Sequence, residues 1–587
     1  MQVYVNTAWY CLLVLAIEPT PVVVSFVLRG TPRSADHARD YANIADPGTA
    51  GIRLPWILDT KEFGPYQQER DWGFAYSSVE PEQACTSYVI KDVEGELPAD
   101  LKGTYYKIGP GNFERGGKDY EHFLDGDGFV AAFHFDGEDV TYTGRFVESE
   151  YFLEEQNDDA IKYRSVFGTQ RPQWFKNVLD LELKNVANTN IVAWGGRLLA
   201  LFEAGIPYEL DPQTLETMPK QPHHISPYTE AGTNCGLARG VTLDQGGPVD
   251  QLLGTTGKYF TAHPHVVDDD TMVAFVSTTN VRTSLTQMEF VEYDRDWQLQ
   301  RTVPSSPFKG TAPHDFAVSD NHYVFFQNPF ADVDSMSYLL GLKGPAQSCQ
   351  ISPRQPTILQ VVNRDTAATM QIALPSYFNI HTVSKAQETK DGKLTLLSSG
   401  WDLTDERFFP QTEDSVALLG NWGGRYPDFD SGAAPPNYLF RTIVDLETGT
   451  VVSHEQVALG HVVEFPMQDE QDDAVYCSIS ATNDVALPGT GFCRYNADDS
   501  IDYWWAPHRV FTGELNPIPK ENSPGSWLVG TLHDAGRKRT SLAIFDSERF
   551  TDGPVCQLHL MHHVTYGIHG EFAKSSLLAS GDPRQEQ

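Results

Sequence analysis

Short apolar runs, each about as long as one β-strand, recur along the chain from Asp71 to Phe572. Gly, Pro, Asp and Asn separate these runs, as is typical of tight turns between antiparallel strands. Acidic turns that end in Gly, such as Phe135–Gly137 and Asp445–Gly449, fit the same pattern. The clearest runs are Thr104–Ile108, Phe129–Phe135, Arg197–Phe202, Met272–Ser277, His322–Gln327, Leu394–Ser398, Tyr438–Val444, Trp527–Gly530 and Thr540–Phe545. The chain is therefore predicted to consist mainly of β-hairpins.

The chain has 587 residues, and its strand-rich part contains neither a linker nor long stretches of helical periodicity. No strict repeat of constant length is visible. An all-β body of about 500 residues must avoid exposed sheet edges, and propellers and barrels do so by closure. We therefore predict an all-β fold with a single β-propeller over residues 71–575, in preference to a large barrel.

Composition and charge narrow the classes of partner. The formal net charge is -36, whereas binding to a phosphate backbone needs clustered Lys and Arg, so no nucleic acid partner is expected. Apolar residues make up 40% of the chain, which is ample for a folded core. The seven cysteines are scattered and form no CxxC pair, so neither a disulfide framework nor a zinc knuckle is indicated, and a reducing compartment fits best.

Both ends of the chain differ from the strand-rich part. The apolar stretch Ala8–Leu28 is interrupted by Glu18, Pro19 and Pro21, which leaves two runs too short to span a membrane. Residues 1–34 resemble the two-part presequences of algae with secondary plastids, which indicates plastid targeting; a disordered extension and a wrong start codon are the alternatives. Residues 35–70 are an N-terminal extension and residues 576–587 a C-terminal tail. Without targeting, the protein is expected in the cytoplasm or at a membrane surface.

Four histidines share one setting, in which a small or apolar stretch is followed by the histidine and then by a strand. They are separated by 51, 67 and 188 residues, too far apart for a local zinc finger. Such spacing suits a ring of strands that converge on an axis, where neutral imidazoles from different blades can bind one metal ion. On spacing alone, a hydrogen-bonded core or surface position is the more frequent role of each. The four are His263, His314, His381 and His569.

Other histidines and two long segments give less specific signals. His265 lies two residues after His263 and could be mistaken for a ligand, but we assign it a structural role. The same role is expected for His122, His223–His224 and His562–His563. Segments Asp211–Gly247 and Pro329–Pro356 show no strand pattern, and long segments of this kind in compact domains usually act as lids or covers.

Five motifs resemble the carotenoid cleavage oxygenase family, and they extend from about Asp71 to Phe572. The first, Leu97–Gly117 followed by His122–Gly128, resembles the opening blade of these enzymes. Phe167–Pro172 and Asn185–Gly205 are similar to the cyanobacterial and algal apocarotenoid oxygenase branch. The remaining similarities are Phe325–Phe330 and His562–Gly570.

The resemblance implies a seven-bladed propeller with a dome of loops and helices over a metal axis. It places the four histidines on the iron(II) ligand motifs of the family, with one ion per chain and dioxygen as cosubstrate. Three glutamates, Glu203, Glu464 and Glu514, match residues that accept hydrogen bonds from His314, His381 and His569 respectively.

The third ligand motif departs from the family. Asn379–Ile380 precede His381 where an aromatic residue is common, and the usual acidic strand end is missing, so His381 is the least typical ligand. Thr189 matches a threonine whose methyl group restricts access to the iron; an ordinary strand threonine is the alternative.

The resemblance implies oxidative cleavage of a conjugated double bond in a carotenoid or apocarotenoid, with two carbonyl products. A substrate this insoluble implies contact with a membrane surface, for which Trp174–Phe175 and Val178–Leu179 are candidates, although burial beneath the cap fits them equally. Relatives that cleave stilbenes carry Lys where this chain has Phe202. Isomerising relatives share the metal ligands, and a catalytically silent carotenoid-binding propeller would need neither the histidines nor the glutamates. Oligomeric state is left open.

Overall fold

The computed structural model describes residues 71–218, 243, 255–268, 270–280, 283–331, 333–419, 434–457, 459–481 and 488–574. The predicted presequence, the N-terminal extension, the C-terminal tail, His223–His224 and most of Asp211–Gly247 lie outside these residues. Within them, the strands form seven antiparallel sheets of three to six strands, arranged as the blades of a β-propeller. The predicted all-β, seven-bladed fold is therefore confirmed.

The first three blades come mostly from the first half of the chain. Blade 1 consists of Cys85–Val89, Gly103–Asn112, Asp127–Phe135, Val140–Phe146 and His569–Ala573. Blade 2 consists of Asn190–Trp194, Arg197–Leu201 and Tyr208–Leu210. Blade 3 consists of Tyr259–Phe260, His265–Asp268, Thr271–Asn280, Leu285–Tyr293, Leu299–Pro304 and Phe308–Lys309.

Four further blades follow in chain order. Blade 4 consists of Ala317–Val318, His322–Gln327, Thr357–Asn363 and Thr369–Leu374. Blade 5 consists of Tyr377–Thr382, Gln387–Glu388, Lys393–Asp402, Asn437–Asp445 and Thr450–Gln456. Blade 6 consists of Val463–Gln468, Val475–Ile479, Gly491–Tyr495 and Ile501–Trp505. Blade 7 consists of Asp92–Gly95, Val510–Pro519, Ser526–Asp534, Arg539–Asp546 and Cys556–His559.

The ring is closed by an exchange of strands between the two ends of the propeller. The C-terminal strand His569–Ala573 pairs with Gly103–Asn112 in blade 1, and the N-terminal strand Asp92–Gly95 pairs with Cys556–His559 in blade 7. Each strand supplies the hydrogen-bond partners of an edge that would otherwise be unpaired. Closure therefore depends on both ends of the fold.

Helices are short and lie between strands. The α-helices with defined bounds are Glu150–Asp158, Ser335–Leu339 and Pro345–Ser348, and residues 71–75 are also helical. The 3-10 helices are Phe123–Asp125, Trp174–Asn177 and Ser547–Asp552. Two small ribbons, Glu114–Arg115 with Lys118–Asp119 and Gln350–Ile351 with Val416–Ala417, complete the described elements.

Burial follows the alternation that predicted the strands. Val140–Phe146 alternates fully buried and half-buried residues along its whole length, as a strand with one face in the core does. Central strands such as Val475–Ile479 are buried throughout, because neighbouring blades cover both faces. At the predicted acidic turn, the Asp136 side chain accepts hydrogen bonds from the backbone amides of Glu138 and Asp139. Gly137, in the same turn, adopts a φ of 96°.

Candidate metal centre

Four imidazoles meet at the centre of the ring. One nitrogen from each of His263, His314, His381 and His569 lies within 4.8 Å of the others. The Nε2 atom of His314 is 3.1 Å from that of His263 and 3.2 Å from that of His381. His314 is half-buried and the other three are buried. The structure therefore brings together the four histidines that the sequence singled out.

Each histidine comes from a different blade. His263 lies between the two short strands of blade 3, and its amide donates to the Thr261 hydroxyl at 3.0 Å. His314 precedes the first strand of blade 4, and His381 lies within the first strand of blade 5. His569 is the first residue of the strand that closes blade 1. A site built in this way depends on the packing of blades against one another.

A β-bulge aims His381, the ligand candidate with the least typical motif. The register of its strand shifts between Asn379 and His381, and such bulges redirect side chains. The Asn379 side chain donates to the His381 carbonyl at 3.1 Å, and its backbone exchanges two hydrogen bonds, of 2.8 and 3.0 Å, with the Asn328 side chain beside blade 4. Asn379, which departs from the family pattern, thus stabilises the bulge.

Each predicted glutamate contacts its predicted histidine. His569 Nδ1 lies 2.8 Å from Glu514 Oε1, and His381 Nδ1 lies 3.5 Å from Glu464 Oε2. His314 Nδ1 is in direct contact with Glu203 Oε1. The His569–Glu514 and His314–Glu203 pairs are hydrogen bonds. The 3.5 Å separation of His381 and Glu464 is longer than a normal hydrogen bond.

Two of these contacts determine which ring nitrogen of His314 and of His569 faces the centre. An ionised carboxylate only accepts, so Nδ1 of His314 and of His569 carries the proton and Nε2 presents a lone pair. The Nε2 lone pair of His314 faces Nε2 of His263 at 3.1 Å and Nε2 of His381 at 3.2 Å, so several ring nitrogens are placed to bind one cation. His569 Nε2 is also buried, and no hydrogen bond from the described residues reaches it. The donor set therefore fits a transition-metal ion that accepts imidazole ligands.

Burial favours the neutral form of His263 and His569, whereas at His314 burial is outweighed by Glu203, which raises the pKa of that histidine. Burial, followed by the charges of the other three histidines, holds the pKa of His263 well below its usual value. Burial also lowers the pKa of His569, although Glu514 opposes this effect. Burial by itself would raise the pKa of Glu514, but Lys107 and His569 together lower it to about 2. Glu514 is therefore ionised at neutral pH.

Lys107 is a buried cation that the sequence interpretation missed. Its Nζ donates to Glu514 Oε2 at 3.1 Å and to the Ile568 carbonyl at 3.0 Å, and both side chains of the pair are almost fully buried. Burial lowers the pKa of Lys107, and Glu514 opposes this effect. The only sequence signal was a lysine inside an apolar strand run, Thr104–Ile108.

Asp315, directly after His314, was also missed. It is 3% exposed and accepts hydrogen bonds from His265 Nε2 and from the backbone amides of Phe316 and Thr382. His265 lies outside the four-histidine group and hydrogen-bonds Asp315, so its structural role stays a prediction that these contacts support. The sequence signal for Asp315 was a lone carboxylate between a ligand candidate and an apolar strand.

A cavity of about 680 Å³ adjoins the histidines. Its wall includes His314, His381, Glu203, Glu464 and Thr189, the last of which is buried. Parts of the wall come from segments between blades, including much of the predicted cover Pro329–Pro356, as expected of a dome. The aromatic residues of the wall are Trp72, Tyr76, Phe123, Phe167, Phe202, Tyr259, Phe275, Phe330, Tyr338, Phe378, Trp401, Phe465 and Tyr566. Such a lining suits an apolar ligand.

An exposed apolar patch lies on two adjoining segments outside the blades. Trp174 is 70% and Phe175 61% exposed, whereas Val178 is half-buried. The amide of Leu179 donates to the Leu339 carbonyl at 2.8 Å, which joins this segment to the Ser335–Leu339 helix. The patch consists of Trp174, Phe175, Leu179, Met336, Leu340 and Leu342, all exposed.

The cavity reaches towards this patch, because Tyr338 belongs to the same helix as Met336 and lines the cavity wall. Arg164 lies beneath the two segments and donates to the carbonyl groups of Asn177, Tyr338 and Lys343. In the part of the chain that the structure describes, no helix is sufficiently long and apolar to cross a bilayer.

Comparison with known proteins places the chain in a family. The family described as RPE65, retinal pigment epithelial membrane protein, matches residues 76–574. Apocarotenoid-15,15'-oxygenase from Synechocystis sp. is 30% identical over 86% of this chain and 96% of its own. Carotenoid cleavage dioxygenase 7, chloroplastic, from Oryza sativa subsp. japonica is 31% identical over 83% of this chain and 89% of its own.

A solved structure agrees with the sequence relatives. The structure of cobalt-substituted Synechocystis ACO superposes with a TM-score of 0.72 and 28% sequence identity, covering 86% of this chain and 99% of that one. This similar protein is cobalt-substituted, in agreement with the donor set described above. The chain belongs to the RPE65 or carotenoid oxygenase family.

Proposed function

We propose that the chain is a non-haem iron(II) dioxygenase that cleaves one conjugated double bond of a carotenoid or apocarotenoid. One dioxygen molecule supplies one oxygen atom to each of two carbonyl products, so no organic cofactor is required. The observation that carries this proposal is the convergence of the four histidines, two of them held by carboxylate hydrogen bonds, beside a large apolar cavity. Family membership supports the same reaction class.

His263, His314, His381 and His569 would hold the iron through their inward nitrogens. When bound, iron(II) would supply a site for binding and reducing dioxygen. Glu203 and Glu514 hold the proton on Nδ1 of their histidines and so keep Nε2 available. The three carboxylates also add negative charge around a ligand set that is itself neutral.

The cavity would bind and orient the polyene. Its aromatic wall excludes water from the substrate, and the position of His314 and His381 in that wall brings one double bond near the metal. Thr189 lies in the same wall, where its side chain would restrict access to the ion, in line with the family resemblance. Which double bond is cleaved depends on how deeply the substrate enters.

Phe202 argues against the stilbene-cleaving alternative. It is buried in the cavity wall at the position where stilbene-cleaving relatives carry a phenol-binding lysine. An isomerising activity would use the same metal ligands. A silent carotenoid carrier would require neither the histidine group nor its carboxylate partners, so their presence favours an enzyme.

The exposed patch is proposed to touch a membrane surface, from which an apolar substrate could pass into the cavity. Six large apolar side chains on adjoining segments form a patch of the kind that marks membrane or protein contacts. Aromatic residues such as Trp174 favour the membrane interface. A plastid membrane is the proposed location, since the rice relative is chloroplastic; the cytoplasm and other membrane surfaces are the alternatives.

The first experiment measures iron and products together. The full chain is loaded anaerobically with iron(II) and incubated under air with β-apo-carotenals in detergent, and products are separated by chromatography. We expect one iron per chain and paired carbonyl products, both reduced strongly in His314→Ala. The control is His322→Ala, which removes a histidine with its own glutamate partner, Glu388, away from the cavity.

Two other outcomes would reject parts of the proposal. Full iron binding without cleavage of any polyene would keep the metal site but reject the substrate, and would direct attention to stilbenes or isomerisation. Little iron and no product would favour the silent carrier.

Membrane contact is tested by vesicle flotation of Trp174→Ser, with Met561→Ser as the control because Met561 is an equally exposed residue outside the patch.

A further inference from the structure

Asp315 connects the backbone segments of three of the four central histidines. Its Oδ2 accepts from the Thr382 amide at 2.8 Å, and Thr382 directly follows His381 in blade 5. Its Oδ1 accepts from the Phe316 amide at 2.7 Å, within the segment of His314 that enters blade 4. The same oxygen accepts from His265 at 3.1 Å, and His265 lies two residues after His263 in blade 3.

The proton of His265 is placed by its two neighbours. Its Nε2 lies 2.8 Å from the Phe316 carbonyl as well as near Asp315, and both oxygens are acceptors, so this nitrogen carries the hydrogen. His265 therefore donates from blade 3 to two groups of blade 4. Asp315 receives all three of its hydrogen bonds from N–H groups, which only a carboxylate can do without leaving one donor unpaired.

The location of these bonds distinguishes Asp315 from an ordinary buried carboxylate. Strand pairing within a blade does not fix where one blade lies relative to the next, so contacts between blades do. Backbone hydrogen bonds of Val318 with Ser384 and Ala386 join blades 4 and 5 a few residues away from the histidines. The bond to Thr382 spans blades 4 and 5, and the bond to His265 spans blades 3 and 4. Both lie within two residues of a histidine of the central group, so a small shift there displaces an imidazole nitrogen.

We propose that Asp315 is a positioning residue that fixes the mutual placement of His263, His314 and His381. This inference rests on the proposed metal centre. Asp315 acts through the backbone and through His265, whereas Glu203, Glu464 and Glu514 act on the imidazoles themselves. The fourth histidine, His569, is held independently by Glu514 in blade 7.

Asp315→Asn tests the inference, because an isosteric amide must turn its NH₂ group towards at least one N–H donor. Cobalt(II) is the probe, since its visible absorption bands report ligand geometry without any turnover. We expect the full-length variant to fold and to bind cobalt(II) with an affinity lower by about 10- to 100-fold, the range typical of lost partners of metal ligands. We also expect altered absorption bands.

Asp469→Asn is the matched control. Asp469 is a buried carboxylate that accepts hydrogen bonds from the Ser526 hydroxyl of blade 7 and from the Gln471 amide, and none of its described hydrogen bonds involves the central histidines. It should lose stability to a similar extent while keeping the wild-type cobalt affinity and spectrum. This comparison separates general destabilisation from displacement of the ligands.

The possible outcomes separate this inference from the proposed function. Wild-type protein that binds neither cobalt(II) nor iron(II) would overturn the metal centre itself. Normal binding by the wild type together with an unchanged affinity and spectrum in Asp315→Asn would overturn the role of Asp315 alone. If Asp315→Asn does not fold, His265→Phe, which removes only the contact from blade 3, must alter the cobalt spectrum, and an unchanged spectrum overturns the inference.

Discussion

The two sides of the histidine cluster hold their glutamates in opposite environments. Glu514 is 1% exposed, contacts His569 and is neutralised by the buried Lys107. Glu203 and Glu464 line the cavity and are much more exposed. We call the side of Glu514 the closed side; it requires its own counter-cation, because an unpaired buried charge is costly. The side of Glu203 and Glu464 is the open side, where the carboxylates border the cavity. The carboxylates around the four histidines therefore differ in how their charge is balanced.

The largest expected difference between the two sides is in stability. Glu514→Gln leaves Lys107 buried without its carboxylate, and we expect the free energy of unfolding to fall by about 3 to 5 kcal/mol. Glu203→Gln should cost less than about 1 kcal/mol, because its side chain is screened by the cavity. Urea unfolding of the apo proteins measures both values.

Removal of the Lys107 charge tests why Glu514→Gln loses stability. The double variant Lys107→Met/Glu514→Gln should regain part of the lost stability, because no uncompensated charge remains. Equal losses in Glu514→Gln and Glu203→Gln would contradict the distinction between a closed and an open side.

Acid should weaken the closed side in a defined pH window. The pKa of Glu514 is about 2 in the folded protein, below its unfolded value, so its contribution is complete above pH ~4.5 and is lost as the pH falls towards 2. A depression of this size corresponds to roughly 3 kcal/mol. The stability difference between wild type and Glu514→Gln should therefore shrink between pH 5 and pH 3 in urea unfolding. A difference that stays constant over this range would count against the proposed ionisation.

On the open side, the expected effect is on metal affinity and hardly on stability. Glu203→Gln weakens the hold on the His314 proton, and we expect iron(II) or cobalt(II) to bind about 10- to 100-fold less tightly. Competition with a chromophoric chelator gives the affinity. The control is Glu388→Gln, which alters a similar histidine–glutamate pair remote from the cavity and should bind metal as the wild type does.

The smallest effect is expected at Thr189. Thr189→Ala removes a methyl group and a hydroxyl from the cavity wall, and nitric oxide should then bind the iron-loaded protein about tenfold more tightly. This is the lower end of the roughly 10- to 200-fold that one methyl group is worth in a packed pocket. Spectroscopic titration measures the change. Unaltered nitric oxide affinity would assign Thr189 a purely structural role.

Sequence patterns predicted the elements better than their contacts. All nine of the clearest apolar runs are strands, because burial of alternate residues is a local property that a short window reveals. Ring closure by Asp92–Gly95 and His569–Ala573 was not predicted, since pairing between distant strands leaves no mark on either strand alone.

The same limit applies to the site. The four histidines and three glutamates were identified through family motifs, and the structure brings each pair together. Lys107 was missed because its partner Glu514 lies 407 residues away along the chain. Asp315 was missed because two of its three hydrogen bonds come from backbone amides, which any residue except proline could have offered.

The closing strand also orders events during synthesis. His569 belongs to the last strand of the propeller, and that strand pairs with one of the first. A nascent chain on the ribosome therefore has three of the central histidines long before the fourth, and must join its two ends before the set is complete. Such distant pairing is slow to form. The four-histidine set is therefore complete only after the two ends of the propeller have paired.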